Sequence, residues 1–272
     1  MERITIIKLR GRFFLALALI LLPLQIVTAS EITYHQPPAE ETIGNDRYSD
    51  DVRMGLNIFT RTNEYAGRYS GNKLSCSNCH LDKGRRANAA PLWGAFGMYP
   101  AYRSKNDQNN TLQERIQQCF RFSLDGFAPR LDSAEIKALT SYIHFLSRGI
   151  IVGKNPAGRG FPVIQDTGFD PNPDRGRQVY IADCASCHGK NGEGQEADNR
   201  QIINPPLWGL GSYNKGSGFY QNQLLAGFIL ANMPVGNEGL LTEQQALDVA
   251  AYINLQIRPR DPRLGFFQGI LD

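Results

Sequence analysis

Long apolar runs, net charge, cysteine and methionine are all scarce in this chain of 272 residues. Its one extended apolar stretch, residues 13–27, is interrupted by Pro23 and is too short for a comfortable membrane span. Arg3, Lys8, Arg10 and Arg12 surround its start, and Val27, Thr28 and Ala29 offer small residues before a cut at Ser30. That pattern is an export signal over residues 1–29, so a periplasmic protein without a stable membrane span is expected. No cysteine follows the stretch, which argues against a lipid anchor there. The formal charge is +3, but the signal carries four basic residues and one acidic residue, and the remainder balances at 25 of each. Without a basic excess, nothing points to nucleic acid. The balance is uneven along the chain. Residues 30–160 carry 17 basic and 13 acidic side chains, and residues 161–272 carry 8 and 12. An anion near the first half and a basic redox partner near the second would suit that asymmetry.

Only five cysteines are present, and four fall in two Cys-x-x-Cys-His motifs, Cys76/Cys79/His80 and Cys184/Cys187/His188. The spacing has a chemical reason: two thiols add to the two vinyl groups of one haem, and the adjacent histidine ligates its iron. Two covalently bound c-type haems are therefore expected. Export agrees, because c-type haem is attached outside the cytoplasm. The fifth cysteine, Cys119, is left without a disulfide partner.

The two motifs sit in internal repeats. Gly55-x-x-x-Phe59 precedes the first and Gly176-x-x-x-Tyr180 the second; Pro91-Leu92-Trp93-Gly94 and Pro206-Leu207-Trp208-Gly209 follow them. Asp132 and Thr242 suit the N-caps of two closing helices. Ile136, Leu139, Ile143 and Leu146 recur at helical spacing as one buried stripe. The expected fold is all-α, two tandem class I cytochrome c-like haem domains joined by a Pro/Gly-rich linker. The boundaries are 30–155 for the first domain, 156–173 for the linker, 174–258 for the second domain and 259–272 for a tail expected to lie over the surface. Each half is short of apolar surface, and the haem supplies the missing bulk.

The repeat also suggests the distal ligands. Met233 falls between the second Trp motif and the last helix, where a thioether ligand is expected; core filling is the plainer alternative. Counting from the matching landmarks of the first half lands on positions 118 and 123, beside Cys119. Met98 is too early, Met54 precedes the motif, and His144 lies in the closing helix as an ordinary helix histidine. Cys119 is then a ligand candidate for the first haem, or else an inert buried thiol or a surface thiol that dimerises. A thiolate ligand lowers the reduction potential relative to a thioether and offers a nucleophile toward sulfur. Chemistry at the first haem and electron relay at the second follow from this. Around Cys119 the chain is cationic, with Lys83, Arg85, Arg86, Arg103, Lys105, Arg115 and Arg121. Arg115 stands four residues before Cys119, which puts both on one helical face. Arginine forks suit oxyanions.

These residues carry a family resemblance. The run from Leu74 through Asn88, Ala90 to Gly94, Tyr99 to Asn106 with its Tyr102-Arg103-Ser104-Lys105, and Glu114-Arg115-x-x-x-Cys119 resemble the periplasmic dihaem thiosulfate dehydrogenases, as do Pro205 to Gly209, Ser212 to Gly218 and Asn232-Met233-Pro234. The resemblance implies oxidation of two thiosulfates to tetrathionate, possibly reversibly. It implies His80 and Cys119 as axial ligands of the first haem, His188 and Met233 of the second, and Arg115, Arg103 and Lys105 as anion clamps. A small periplasmic acceptor such as a cytochrome c or a high-potential iron–sulfur protein would take the electrons. Some members carry lysine beside the second-haem methionine; here the neighbour is Asn232, so no ligand switch is expected. Three rivals remain. A dihaem electron shuttle would favour methionine at both distal positions. A haem subunit of a sulfur-oxidising complex would need a partner for turnover. A dihaem peroxidase would need a distal acid or base, and none stands out.

Overall fold

The computed structural model describes residues 32–198 and 201–264; the export signal falls outside them. From Thr33 onward the chain belongs to one compact unit, with two buried apolar clusters. Helices carry the architecture, and the same three-helix plan occurs twice. In the first half, an opening helix Arg47–Thr60, a middle helix Leu112–Gln118 and a closing helix Ala134–Leu146 surround the first motif. In the second, Pro173–Val179, Asn222–Asn232 and Glu243–Leu255 do the same. This is the tandem cytochrome c arrangement expected from the repeats.

Opening and closing helices cross at a glycine in both halves. A Cβ on Gly55 would sit far inside contact distance of the Ala138 carbonyl, and one on Gly176 would strike the Asp248 carbonyl. Only glycine allows so close an approach. Four residues on, the aromatics meet the closing helix: Phe59 and Tyr142 rings stand 5.7 Å apart, Tyr180 and Tyr252 rings 5.5 Å. Tyr142 donates its hydroxyl to the Lys83 carbonyl at 2.7 Å, and Tyr180 to that of Gly189 at 2.6 Å. These bonds tie each helix pair to the segment following its haem motif.

Helix ends follow local chemistry. Asp46 caps the first helix by accepting from the Ser49 N–H at 2.8 Å. Thr242 and Gln245 form a reciprocal capping box. The closing helix of the first half is capped by Ser133, which accepts from the Ile136 N–H, and not by Asp132, which pairs with Arg130 at 3.0 Å. The stripe Ile136, Leu139, Ile143 and Leu146 is buried throughout.

Three features depart from a plain helical reading. Two short antiparallel hairpins pair Ala101–Arg103 with Gln108–Asn110 and Gln195–Glu196 with Ile202–Asn204. The linker lies against both halves: Gly158 and Gly160 carbonyls accept from Asn88 and Ala90 and the Arg159 Nε donates to the Gly94 carbonyl at 2.8 Å on the first, while the Phe161 ring packs 5.4 Å from Phe219 on the second. Up to Leu264 the tail does not simply cover the surface. Arg258 and Asp261 are buried, because Gly209 and Lys215 donate to the Ile257 and Pro259 carbonyls and draw the chain inward. The halves are joined by Asn214, which donates its amide to the Arg121 carbonyl and to Asp125, both at 2.8 Å, while its backbone N–H donates to Phe122. Ion pairs Lys73–Glu196 and Arg86–Glu238 close the rim. No helix among the described residues is long and apolar enough to cross a membrane.

Gly55→Ala and Gly176→Ala are each expected to cost roughly 1–3 kcal/mol by forcing the crossing apart. Gly67→Ala, with open space around it, is expected to cost little. Urea unfolding of the haem-loaded proteins checks this; equal midpoints for all three would contradict the crossing argument.

Candidate active site

The first motif opens as a turn, Cys76–Asn78, and ends in His80. The His80 Nδ1 lies 2.6 Å from the Ala90 carbonyl. With Nδ1–H donating there, the ring is held in one tautomer and Nε2 keeps its lone pair free for a metal. Holding that carbonyl in place requires a contorted loop. Asp82, Lys83, Asn88 and Ala90 all adopt positive φ, 46° at Ala90, a region side-chain-bearing residues rarely occupy. The second motif repeats the device: His188 Nδ1 lies 2.9 Å from the Pro205 carbonyl. In both halves the accepting residue immediately precedes the Pro-Leu-Trp-Gly run, which explains why that run accompanies the motif.

Cys76, Cys79, His80 and Cys119 open onto one cavity whose other walls are mostly apolar, with Phe59, Leu92, Phe120 and Leu139 among them and Ser75 and Ser123 as the polar exceptions. Met54, Met98 and His144 do not line it. Instead His144 bonds the Tyr48 hydroxyl at 2.7 Å and packs against Phe96, and Met54 packs against the first core. The paired thiols, the oriented imidazole and a largely apolar chamber fit a covalently held haem. In the second half, Cys184, Trp208 and Met233 pack against the second core, and Met233 follows directly on the middle helix. Cys119 occupies the corresponding place after the middle helix of the first half, where the chain continues as a single π-helical turn, Cys119–Ser123. Such turns re-aim side chains and recur at functional sites.

The three thiols of the first cavity differ in their surroundings. Burial pushes Cys76 and Cys79 up to about 12. Burial also raises Cys119, but the charge of Arg115 first, with the nearby His80 ring and the charge of Arg103, outweighs it, and its pKa falls to about 7. Arg115 donates from Nη1 to the Cys119 sulfur at 3.2 Å, one helical turn earlier on the same face.

Arg115 also borders a second cavity of about 710 Å³, with Arg103, Lys105, Gln118, Phe122 and Gly216 among its walls. Arg103 arrives at the end of the hairpin strand Ala101–Arg103. Lys105 follows in the turn, donates to the Gly216 carbonyl and lies over the Phe122 ring at 5.0 Å. Burial first, then the neighbouring charges of Arg263 and Arg115, bring Lys105 down to about 8. Arg103, Lys105 and Arg115 have no carboxylate partner among the described residues, whereas Lys83 pairs with Glu40 and Arg86 with Glu238. Arg85 instead donates to the Pro37 and Pro38 carbonyls. So three cations of the basic stretch converge without acidic partners, and others around them are taken up in structural contacts. Tyr99, Gln118, Phe122 and Gly216 escaped the sequence reading. Tyr99, Gln118 and Gly216 lie in runs singled out there but were given no role, and Gly216 comes from the other half of the chain.

Asn232 donates its buried amide to the Asn88 and Phe228 carbonyls, at 3.1 and 3.0 Å. The residue beside Met233 is thereby committed to the junction between the halves.

A family model described as SoxA/TsdA, cytochrome c domain, matches residues 63–152, and the cytochrome c model matches residues 173–255. A thiosulfate dehydrogenase of Stutzerimonas stutzeri (strain A1501) is 46% identical over 234 residues, covering 85% of this chain and 75% of its own. One from Thiomonas intermedia (strain K12) is 47% identical over 227 residues, covering 84% and 72%. The solved thiosulfate dehydrogenase (TsdBA) from Marichromatium purpuratum, in its as-isolated form, matches with a TM-score of 0.82 at 40% identity over 88% of this chain. The match spans 52% of that longer chain.

Proposed function

The chain belongs to the thiosulfate dehydrogenase family of dihaem c-type cytochromes, and from that premise we propose that it joins two thiosulfates into tetrathionate at Cys119, in the periplasm. The observation that carries the reading is a thiol with lowered pKa, bonded to Arg115, between an apolar haem chamber and a cavity of unpaired cations. Residues 30–155 form the catalytic domain, 156–173 the linker, 174–258 the relay domain and 259–272 the tail.

Cys76 and Cys79 would hold the first haem by thioether bonds, with His80 and Cys119 as its ligands; Cys184 and Cys187 would hold the second, with His188 and Met233. When bound, the haems take up the two electrons released as the sulfur–sulfur bonds form and relay them outward. Thiosulfate is a dianion, so two of them repel each other strongly at bond-forming distance. Arg103, Lys105 and Arg115 offset that repulsion and aim the sulfonate ends away from the thiol. The Cys119 thiolate bonds the outer sulfur of the first thiosulfate, giving a Cys119 thiosulfonate and two electrons. A second thiosulfate attacks that sulfur, releasing tetrathionate and restoring the thiolate. Sulfur–sulfur exchange of this kind favours an attacking thiol with a pKa near ambient pH. Cys187 is exposed, which supports the second domain as the exit toward a small redox partner such as a cytochrome c or a high-potential iron–sulfur protein.

Cys119→Met should abolish tetrathionate formation with ferricyanide as acceptor while both haems stay attached; near-normal turnover would remove Cys119 from the chemistry. Arg103→Gln or Lys105→Gln should raise KM roughly tenfold or more, as loss of a charged hydrogen bond implies. The pH profile tests Lys105 separately. Its ammonium is charged below about 8 and lost above it, so kcat/KM should fall as pH rises through that value. Lys105→Arg should hold kcat/KM steady to higher pH. Superimposable profiles would exclude the lysine from anion binding.

A further inference from the structure

Arg258 is buried, with 5% of its surface exposed, yet it has no carboxylate partner among the described residues. Its guanidinium donates only to backbone carbonyls: Nη1 to Tyr213 at 3.5 Å, Nη2 to Ile253 at 2.7 Å and to Leu207 at 3.4 Å. It lies 4.2 Å from the Tyr213 ring centroid. Nε is buried with no partner at all. Neutral carbonyls and an aromatic face satisfy donors but do not cancel a charge, and a buried uncompensated cation is strongly disfavoured. The acid closest in sequence, Asp261, is taken by Arg263.

The position of this cation suggests what completes it. Leu207 belongs to the Pro-Leu-Trp-Gly run of the second half, two residues beyond the carbonyl that fixes His188. Tyr213, under the guanidinium, follows Ser212, whose carbonyl accepts from Asn72 at 3.1 Å, shortly before the first motif. Arg258 therefore stands beside segments of both haem domains, and each haem carries two propionate carboxylates. We propose that Arg258 is the counter-ion of a haem propionate at this junction, holding it ionised and raising the reduction potential of that haem. A guanidinium fork suits a carboxylate. A positive charge beside a haem favours its reduced form, so the residue tunes the step between the two haems while lying outside the thiosulfate cavity. Either haem could supply the carboxylate, and the test separates them.

The test is a spectroelectrochemical titration of the haem-loaded protein without thiosulfate, at several pH values around neutrality, so it does not depend on the substrate reading. In the wild type both potentials are expected to be nearly independent of pH. Arg258→Gln should lower the potential of one haem, and that potential should now fall as pH rises. The sign follows because a buried propionate without its cation has a raised pKa and takes up a proton on reduction. Arg258→Lys keeps the charge and should stay near the wild-type values, which a purely structural role would not explain. The spectral signature of the haem that shifts identifies the source of the propionate. If both potentials of Arg258→Gln match the wild type at every pH, or if Arg258→Lys shifts as far as Arg258→Gln, the proposal is overturned.

Discussion

A thiolate buried in an apolar chamber is unstable unless a cation accompanies it, and the contact between Arg115 and Cys119 meets that need. Much of the first half serves this pair. A middle helix with a capped first turn puts the guanidinium one turn before the sulfur. The π-helical turn then sets the direction of the Cys119 side chain. The chamber behind it is mostly apolar, and a low-dielectric surrounding strengthens the attraction between the charges. Cys76 and Cys79, without such a cation, are pushed up by the same burial. Local charge, not depth, distinguishes the thiol we assign to chemistry from the two that anchor haem.

The second half repeats the scaffold with methionine in the place of cysteine. Both halves cross helices at a glycine, pin an imidazole to the carbonyl before a Pro-Leu-Trp-Gly run, and place a sulfur residue after the middle helix. The methionine version has no counterpart to Arg115; the preceding helix, Asn222–Asn232, carries no charged residue. A thioether needs none, being neutral. The second half also closes the cation cavity of the first: Gly216 accepts from Lys105, and Asn214 fastens its loop to the carbonyls just beyond Cys119. The cavity is thus shared, which accounts for a junction rich in buried amides.

The haem framework was legible in the sequence because its geometry is covalent: motif spacing, the glycine–aromatic step and the Pro-Leu-Trp-Gly run each answer a fixed distance. The place of Cys119 followed from counting against Met233, and its contact with Arg115 from helical spacing. Other features were hidden for physical reasons. Ser133 and Asp132 are both good caps, and Arg130 decides between them by taking the aspartate. The hairpin of residues 101–110 carries no alternating pattern, since its residues are almost all polar. The burial of Arg258 depends on backbone bonds from distant loops, which an aperiodic tail does not advertise. Gly216 faces Lys105 across more than a hundred residues of chain, and no local pattern records such a meeting.

The central claim is that substrate sulfur bonds to Cys119. Peptide mass spectrometry of oxidised, haem-loaded protein after brief exposure to limiting thiosulfate tests it most directly. A thiosulfate-derived adduct on the peptide containing Cys119 is expected, removed by further thiosulfate with release of tetrathionate. Steady tetrathionate formation with that peptide unmodified at every time sampled would contradict it.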